Sequence, residues 1–172
     1  SACAGGASQA TSWPGLTVDP SGEVGYISFE TSVYAVNLAN GTEIWHFPAE
    51  KDNKISFYAA PALTEDGQLI VGDYSNILYS INPENGQQNW TFDGSENRYV
   101  AGALANGDSI YAPSTDKNLY SLDLTGSPTW EFTSGDALWG TSVTDGELVF
   151  LPGMDHYVYA LDAVTGQEVW KT

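Results

Sequence analysis

His46 and His156 are the only histidines of the 172-residue chain, and they stand far apart in sequence. Each is single, so each reads as a surface or turn residue rather than a metal ligand or general base. Calcium needs several oxygen ligands gathered in one loop. The acidic stretches "DPSGE" at 19–23 and "TDGE" at 144–147 fit hairpin turns better than such a loop. No serine lies in a nucleophile-elbow motif. These residue types point away from catalysis and leave binding as the chemistry to look for. No catalytic, cofactor-binding or metal-ligating residue is expected.

Charge narrows the partner. The chain carries 22 Asp and Glu against Lys51, Lys54, Arg98, Lys117 and Lys171, a net charge of −17. Nucleic-acid binding rests on cations that displace phosphate counterions, and this sequence has few to offer. Anionic lipid surfaces are disfavoured for the same reason. A cationic partner, a neutral polymer or plain solubility fits the charge. No apolar run approaches the roughly 20 residues of a membrane-spanning helix.

One cysteine, Cys3, excludes an internal disulfide. It stands in "SAC" and is followed by the small and polar run "AGGASQATS". This resembles the end of a bacterial lipoprotein signal, in which the cysteine is lipidated. Cys3 is therefore the lipidation candidate and residues 1–11 a flexible tether. Membrane attachment is expected only through that anchor, on an exported, periplasmic or extracellular protein. The sequons at Asn40 and Asn89 fall on repeat positions with structural reasons of their own and are set aside.

The elements that must position any site come from an internal repeat. Trp45, Trp90, Trp130 and Trp170 are spaced by 45, 40 and 40 residues, and Gly41, Gly86, Gly126 and Gly166 keep step with them. Tyr34, Tyr79, Tyr120 and Tyr159 do the same. Each unit divides into four short runs rich in β-branched and aromatic residues, separated by turn dipeptides. In the second unit these are 59–64, 68–74, 77–82 and 87–92. Tight turns imply antiparallel neighbours. One such sheet cannot bury both of its faces, and sheets packed around an axis make a β-propeller. The fold class expected is all-β: four four-stranded antiparallel blades, at about 12–47, 57–92, 98–132 and 137–172. The tryptophan of each outermost strand is expected to pack across onto the neighbouring blade.

The segment "ALDAVTGQEVW" at 160–170 resembles the tryptophan-docking motif of pyrroloquinoline-quinone-like β-propeller repeats. "AVNLANGTEIW" at 35–45 and "SINPENGQQNW" at 80–90 match it with Asn for Asp, and "SLDLTGSPTW" at 121–130 is one residue short. The resemblance covers residues 12–172 and implies a ring of seven or eight blades, of which four are present. The family holds quinoprotein dehydrogenases, which bind the quinone and Ca²⁺ in the axis, and non-enzymatic scaffold lipoproteins of outer-membrane assembly. The adjacent-cysteine pair of many dehydrogenases is missing here. The expectation is thus a non-catalytic binding or assembly scaffold of the cell envelope. A dehydrogenase fragment using quinone and calcium is one alternative, and a self-assembling ring or filament is another. Three accounts of the blade number stay open: part of a longer protein, two copies paired head-to-tail, or four blades that close alone or stack.

In a propeller the connections sort onto two faces. One collects only carboxylates from the turns. The other collects all five cations, the long loop "PAEKDNKISFY" at 48–58 and several aromatics. Long loops on a rigid scaffold carry function more often than tight turns do. The candidate partner face is therefore Lys51, Lys54, Phe57, Tyr58, Arg98, Tyr99 and Trp139, with packing of the axial channel as the competing role for its aromatics.

Overall fold

A computed structural model describes residues 15–172. Cys3, the 1–11 tether and the first residues of the first blade lie outside the described residues. The chain forms four antiparallel sheets, each a simple up-and-down meander of four strands. The first holds β1 (Gly15–Val18), β2 (Val24–Phe29), β3 (Ser32–Asn37) and β4 (Glu43–Phe47). The second holds β5 (Ala62–Leu63), β6 (Leu69–Gly72), β7 (Leu78–Ile81) and β8 (Gln88–Phe92). The third holds β9 (Leu104–Asn106), β10 (Ser109–Pro113), β11 (Asn118–Asp123) and β12 (Pro128–Thr133). The fourth holds β13 (Val143–Thr144), β14 (Leu148–Pro152), β15 (Val158–Asp162) and β16 (Glu168–Lys171).

The innermost strands are shorter than the sequence suggests. Ladder pairing begins at Ala62, Leu104 and Val143, not at 59, 100 and 138. Pro61 has no N–H to donate, and the Ala- and Gly-rich stretches before each strand instead line a central cleft.

The turn before each outermost strand is built by its first residue. Asp123 accepts hydrogen bonds from the backbone of Thr125 and Ser127 and from the Thr125 hydroxyl. Asp162 does the same for Val164 and Thr165. The threonine hydroxyl, followed by the backbone donors, holds both carboxyls below their ordinary value.

The core is divided among the joints between blades. One cluster joins Trp45 and Phe47 of the first blade to Leu69, Val71, Tyr79 and Ile81 of the second. A second joins Ile70 and Leu78 to Ile110 and Leu122. A third joins Tyr111 and Leu119 to Val149, Leu151 and Leu161. A fully buried side chain of this size contributes about 1.5–3 kcal/mol, so each joint holds its two sheets by apolar burial.

Tryptophan sets the register of each joint. The Trp45 indole lies on Gly86 and its Nε1 donates to the Pro83 carbonyl at 2.9 Å. Trp90 lies on Gly126 and donates to Leu124 at 3.0 Å. Trp130 lies on Gly166 and donates to Ala163 at 3.2 Å. The phenylalanine two residues on packs edge-to-face on the next blade's tyrosine in all three joints: Phe47 on Tyr79, Phe92 on Tyr120, Phe132 on Tyr159. Trp170 and Gly41 have no such partner among the described residues. Trp170 is 42% exposed, and a Cβ added at Gly41 would meet nothing within 4 Å. Each lies on a sheet face that no further blade covers here.

An aspartate in each of three second turns ties a blade together, a feature absent from the sequence reading. Asp116 accepts from the Tyr120 hydroxyl at 2.7 Å and from Ser95 Oγ and Glu96 N of the preceding connection. Asp155 accepts from Tyr159 and from Gly135 N. Asp73 is fully buried and accepts from Ser75 N, Ile77 N and the Tyr79 hydroxyl. Burial raises its pKa above 3.8 against the pull of those donors. The folded state then binds this proton more tightly than the unfolded chain does. The associated stability is complete below pH 3.8 and is lost as pH rises through the elevated pKa. Asparagine keeps the two backbone bonds at Oδ1 and can reverse the third, its Nδ2 donating to the Tyr79 oxygen, but it cannot titrate. Relative to Asp73→Asn, the wild type should therefore gain stability as pH falls from 7 toward 4, in urea titrations at each pH. A gap constant with pH would refute the assignment.

Candidate functional site

Three equivalent connections between blades supply the site. Each begins with a residue whose carbonyl is bonded by the following blade's second turn: Ser56 by Tyr74 N, Arg98 by Thr115 N, and Ala137 by Met154 N. Next comes a buried plug, Phe57, Tyr99 or Leu138, whose N–H donates back to Glu30, Asp73 or Ser114. The following residue, Tyr58, Val100 or Trp139, then faces the axis. Alternation along an extended segment thus sends one side chain into the joint and the next toward the centre.

Two of the seven expected partner-face residues must be corrected on this account. Phe57 and Tyr99 are plugs, not contact residues, and both are buried. Phe57 packs its ring against Phe47 and Tyr79. Tyr99 lies so close to Gly72 that a Cβ there would meet it at 2.3 Å. Burial also drives the Tyr99 hydroxyl well above its ordinary pKa. Lys51 and Lys54 are exposed in the long loop, outside the residues that line the recess described next.

Tyr58, Arg98 and Trp139 do come together, joined by Tyr74 and Val100, around a recess of about 220 Å³. Tyr58 and Tyr74 stack with centroids 4.6 Å apart. The Arg98 guanidinium sits 4.3 Å from the Tyr74 ring centroid and donates to the Tyr74 hydroxyl. Thr115 fixes the Arg98 backbone through two hydrogen bonds to its carbonyl. Burial raises the Tyr58 pKa, the Tyr74 hydroxyl adds to that, and Arg98 opposes both. Trp139 stands 52% exposed at the rim. The recess opens beside an axial cleft of about 450 Å³ walled by Gly15, Thr17, Ala59–Pro61, Ala101–Ala103 and Thr141.

Tyr74 was missed because it follows a strand rather than entering from a connection; its signal was its adjacency to Asp73 in a turn shared by three blades. Chemically, the recess offers flat aromatic walls and one guanidinium. Among the described residues the ion pairs are His46–Glu43 and Lys171–Glu168, so Arg98 has no carboxylate partner there. Among the same residues, no three His, Cys, Asp or Glu side chains gather where a metal ion could be held.

The described residues define a class: β-propeller blades joined by tryptophan docking, with an aromatic and cationic recess beside the axis. The family model described as outer membrane protein assembly factor BamB matches residues 30–172, and the chain belongs to that family. Among curated proteins, BamB of Shewanella oneidensis is 27% identical over 151 residues, 81% of this chain and 38% of that protein. Among solved structures, BamB from Moraxella catarrhalis superposes with a TM-score of 0.63 at 16% identity, over 92% of this chain and 63% of the other. The computationally designed Ika8 protein superposes with a TM-score of 0.77 at 13% identity, over 91% of this chain and 48% of the other. The two structures show the fold alone. The chain spans about two-fifths of the curated relative and 48% and 63% of the two solved ones.

Proposed function

We propose that this chain is a non-catalytic, protein-binding segment of an exported envelope scaffold in outer-membrane protein assembly, held to the membrane through lipidated Cys3. Its contact site is the recess formed by Tyr58, Tyr74, Arg98 and Trp139, and it works without a bound quinone or metal. The observation that carries this reading is Arg98. In a chain with 22 acidic residues this guanidinium sits against aromatic rings with no carboxylate partner among the described residues. Arg, Tyr and Trp are the residues that dominate binding energy at protein interfaces. An extended partner segment placing a carboxylate beside an apolar or aromatic side chain would satisfy both features. The kinship with an assembly factor supports the same role.

The test is site-specific photocrosslinking in envelope membranes, with the photoreactive residue at position 139 and, as a control, at Glu84 on the acidic face. Position 139 should capture an outer-membrane assembly protein, and Arg98→Ala should lower that yield at least tenfold with the fold intact. Capture from position 84 alone, or yields indifferent to Arg98→Ala, would remove the recess as the contact site.

A further inference from the structure

An asparagine followed by glycine is open to attack by its own chain, because the glycine nitrogen carries no Cβ beside it to block the approach. That dipeptide occurs three times here, at Asn40–Gly41, Asn85–Gly86 and Asn106–Gly107. All three asparagines are exposed, and the three glycines have positive φ, at 72°, 72° and 55°. Sequence and exposure therefore do not separate the sites. Hydrogen bonding does.

Two of them are closed. The Gly41 N–H donates to the Asn37 carbonyl at 2.7 Å, and the Gly86 N–H donates to the Asn82 carbonyl at 2.9 Å. Their asparagine side chains are held as well. Asn40 Oδ1 accepts from the Thr42 N–H at 2.9 Å and from the Thr42 hydroxyl at 2.7 Å. Asn85 Oδ1 accepts from the Gln87 N–H at 2.9 Å, and Gly86 lies beneath the Trp45 indole. Attacking nitrogen and attacked carboxamide are both engaged elsewhere.

Asn106–Gly107 has neither restraint. Among the described residues no acceptor takes the Gly107 N–H, and no donor holds the Asn106 carboxamide. The side chain borders an open cavity of about 250 Å³ between the third and fourth blades. Gly107 and Asp108 form the turn between β9 and β10, which the Asn106–Ser109 pair closes. β9 is three residues long and meets β10 at three positions. The end of so short a ladder opens locally at little cost. Once the closing pair is open, rotation about the Asn106 backbone brings the Gly107 nitrogen against the carboxamide carbon.

We infer that Asn106 is a site of spontaneous deamidation, and that the fold protects Asn40 and Asn85 from the same reaction. The Gly107 nitrogen gives its proton to water and bonds to Asn106 Cγ. The carboxamide nitrogen takes up a proton and leaves as ammonia, and a succinimide remains. Water adds to one of the two imide carbonyls, the ring opens, and the residue becomes aspartate or isoaspartate without oxidation or reduction. Either product adds a negative charge to a turn that already carries Asp108. Isoaspartate also lengthens the main chain by one carbon, so position 106 loses its pairing with Ser109. The ladder then shortens to Leu104–Tyr111 and Ala105–Ile110. The inference is independent of the recess.

Prolonged incubation of the folded chain at mildly alkaline pH, followed by tryptic digestion and mass spectrometry, tests it. Cleavage after Lys51, Lys54, Arg98 and Lys117 puts the three sites on separate peptides, and the one spanning 99–117 holds no other asparagine. A gain of one mass unit should accumulate on that peptide at least tenfold faster than at Asn40 or Asn85, with fragmentation assigning the residue. In urea sufficient to unfold the chain the three rates should converge to within a few fold, because the protecting hydrogen bonds are gone. Comparable rates at the three sites of the folded chain, or a faster reaction at Asn40 or Asn85, would overturn the inference. So would a 99–117 peptide that reacts in urea but stays unmodified in the folded chain.

Discussion

Gly126→Ala should destabilise the protein by about 2–5 kcal/mol, whereas Gly41→Ala should cost only about 1–2. Both residues have positive φ, at 83° and 72°. An L-residue pays about 1–2 kcal/mol for that conformation. Only Gly126 carries an indole: a Cβ there would meet the Trp90 ring at 2.6 Å, while at Gly41 it would meet nothing. Forcing the ring away adds an overpacking cost of about 1–3 kcal/mol. Urea unfolding of both variants isolates the difference. Adding Trp90→Ala to Gly126→Ala should be markedly less than additive, because the clash disappears with the ring. Equal costs at the two glycines would mean that tryptophan docking does not set the register of the joints.

Tyr99→Ala should cost about 3–5 kcal/mol, the loss of a large buried ring and the cavity left behind. Tyr99 fills the joint between the second and third blades beside Ile70, Leu78 and Ile110. Arg98→Ala, one residue earlier at a half-buried position, should cost no more than about 1 kcal/mol, the size of a cation–π contact near the surface, and act mainly on partner capture. Paired unfolding and crosslinking measurements separate the roles. If Tyr99→Ala stays fully folded with its midpoint unmoved and loses capture instead, the plug assignment is wrong and the side chain belongs to the contact surface.

These adjacent residues also mark where reading the sequence reached its limit. Position 98 could be recognised as surface because a guanidinium resists burial without a partner. Position 99 could not be placed, since a tyrosine between loop residues suits a joint or a rim equally well. The deciding fact is the hydrogen bond from Tyr99 N to the Asp73 carbonyl, which fixes the alternation of the segment. Asp73, Asp116 and Asp155 were hidden for a similar reason. Acidic turn residues are common, and only contact with a tyrosine hydroxyl distinguishes these three.

From its residues alone the chain settled the all-β fold, the four blades and the packing of the outer-strand tryptophan across onto a neighbouring blade. Those properties follow from local spacing: turn chemistry and side-chain alternation act between near neighbours and repeat with the sequence. Tertiary structure decided which glycine each docked tryptophan meets, which aromatics plug the joints and which face the axis, and that Tyr74 completes the recess around Arg98. Each of those depends on which side of a connection turns toward a neighbouring sheet, and that choice is made by burial between segments about 40 residues apart.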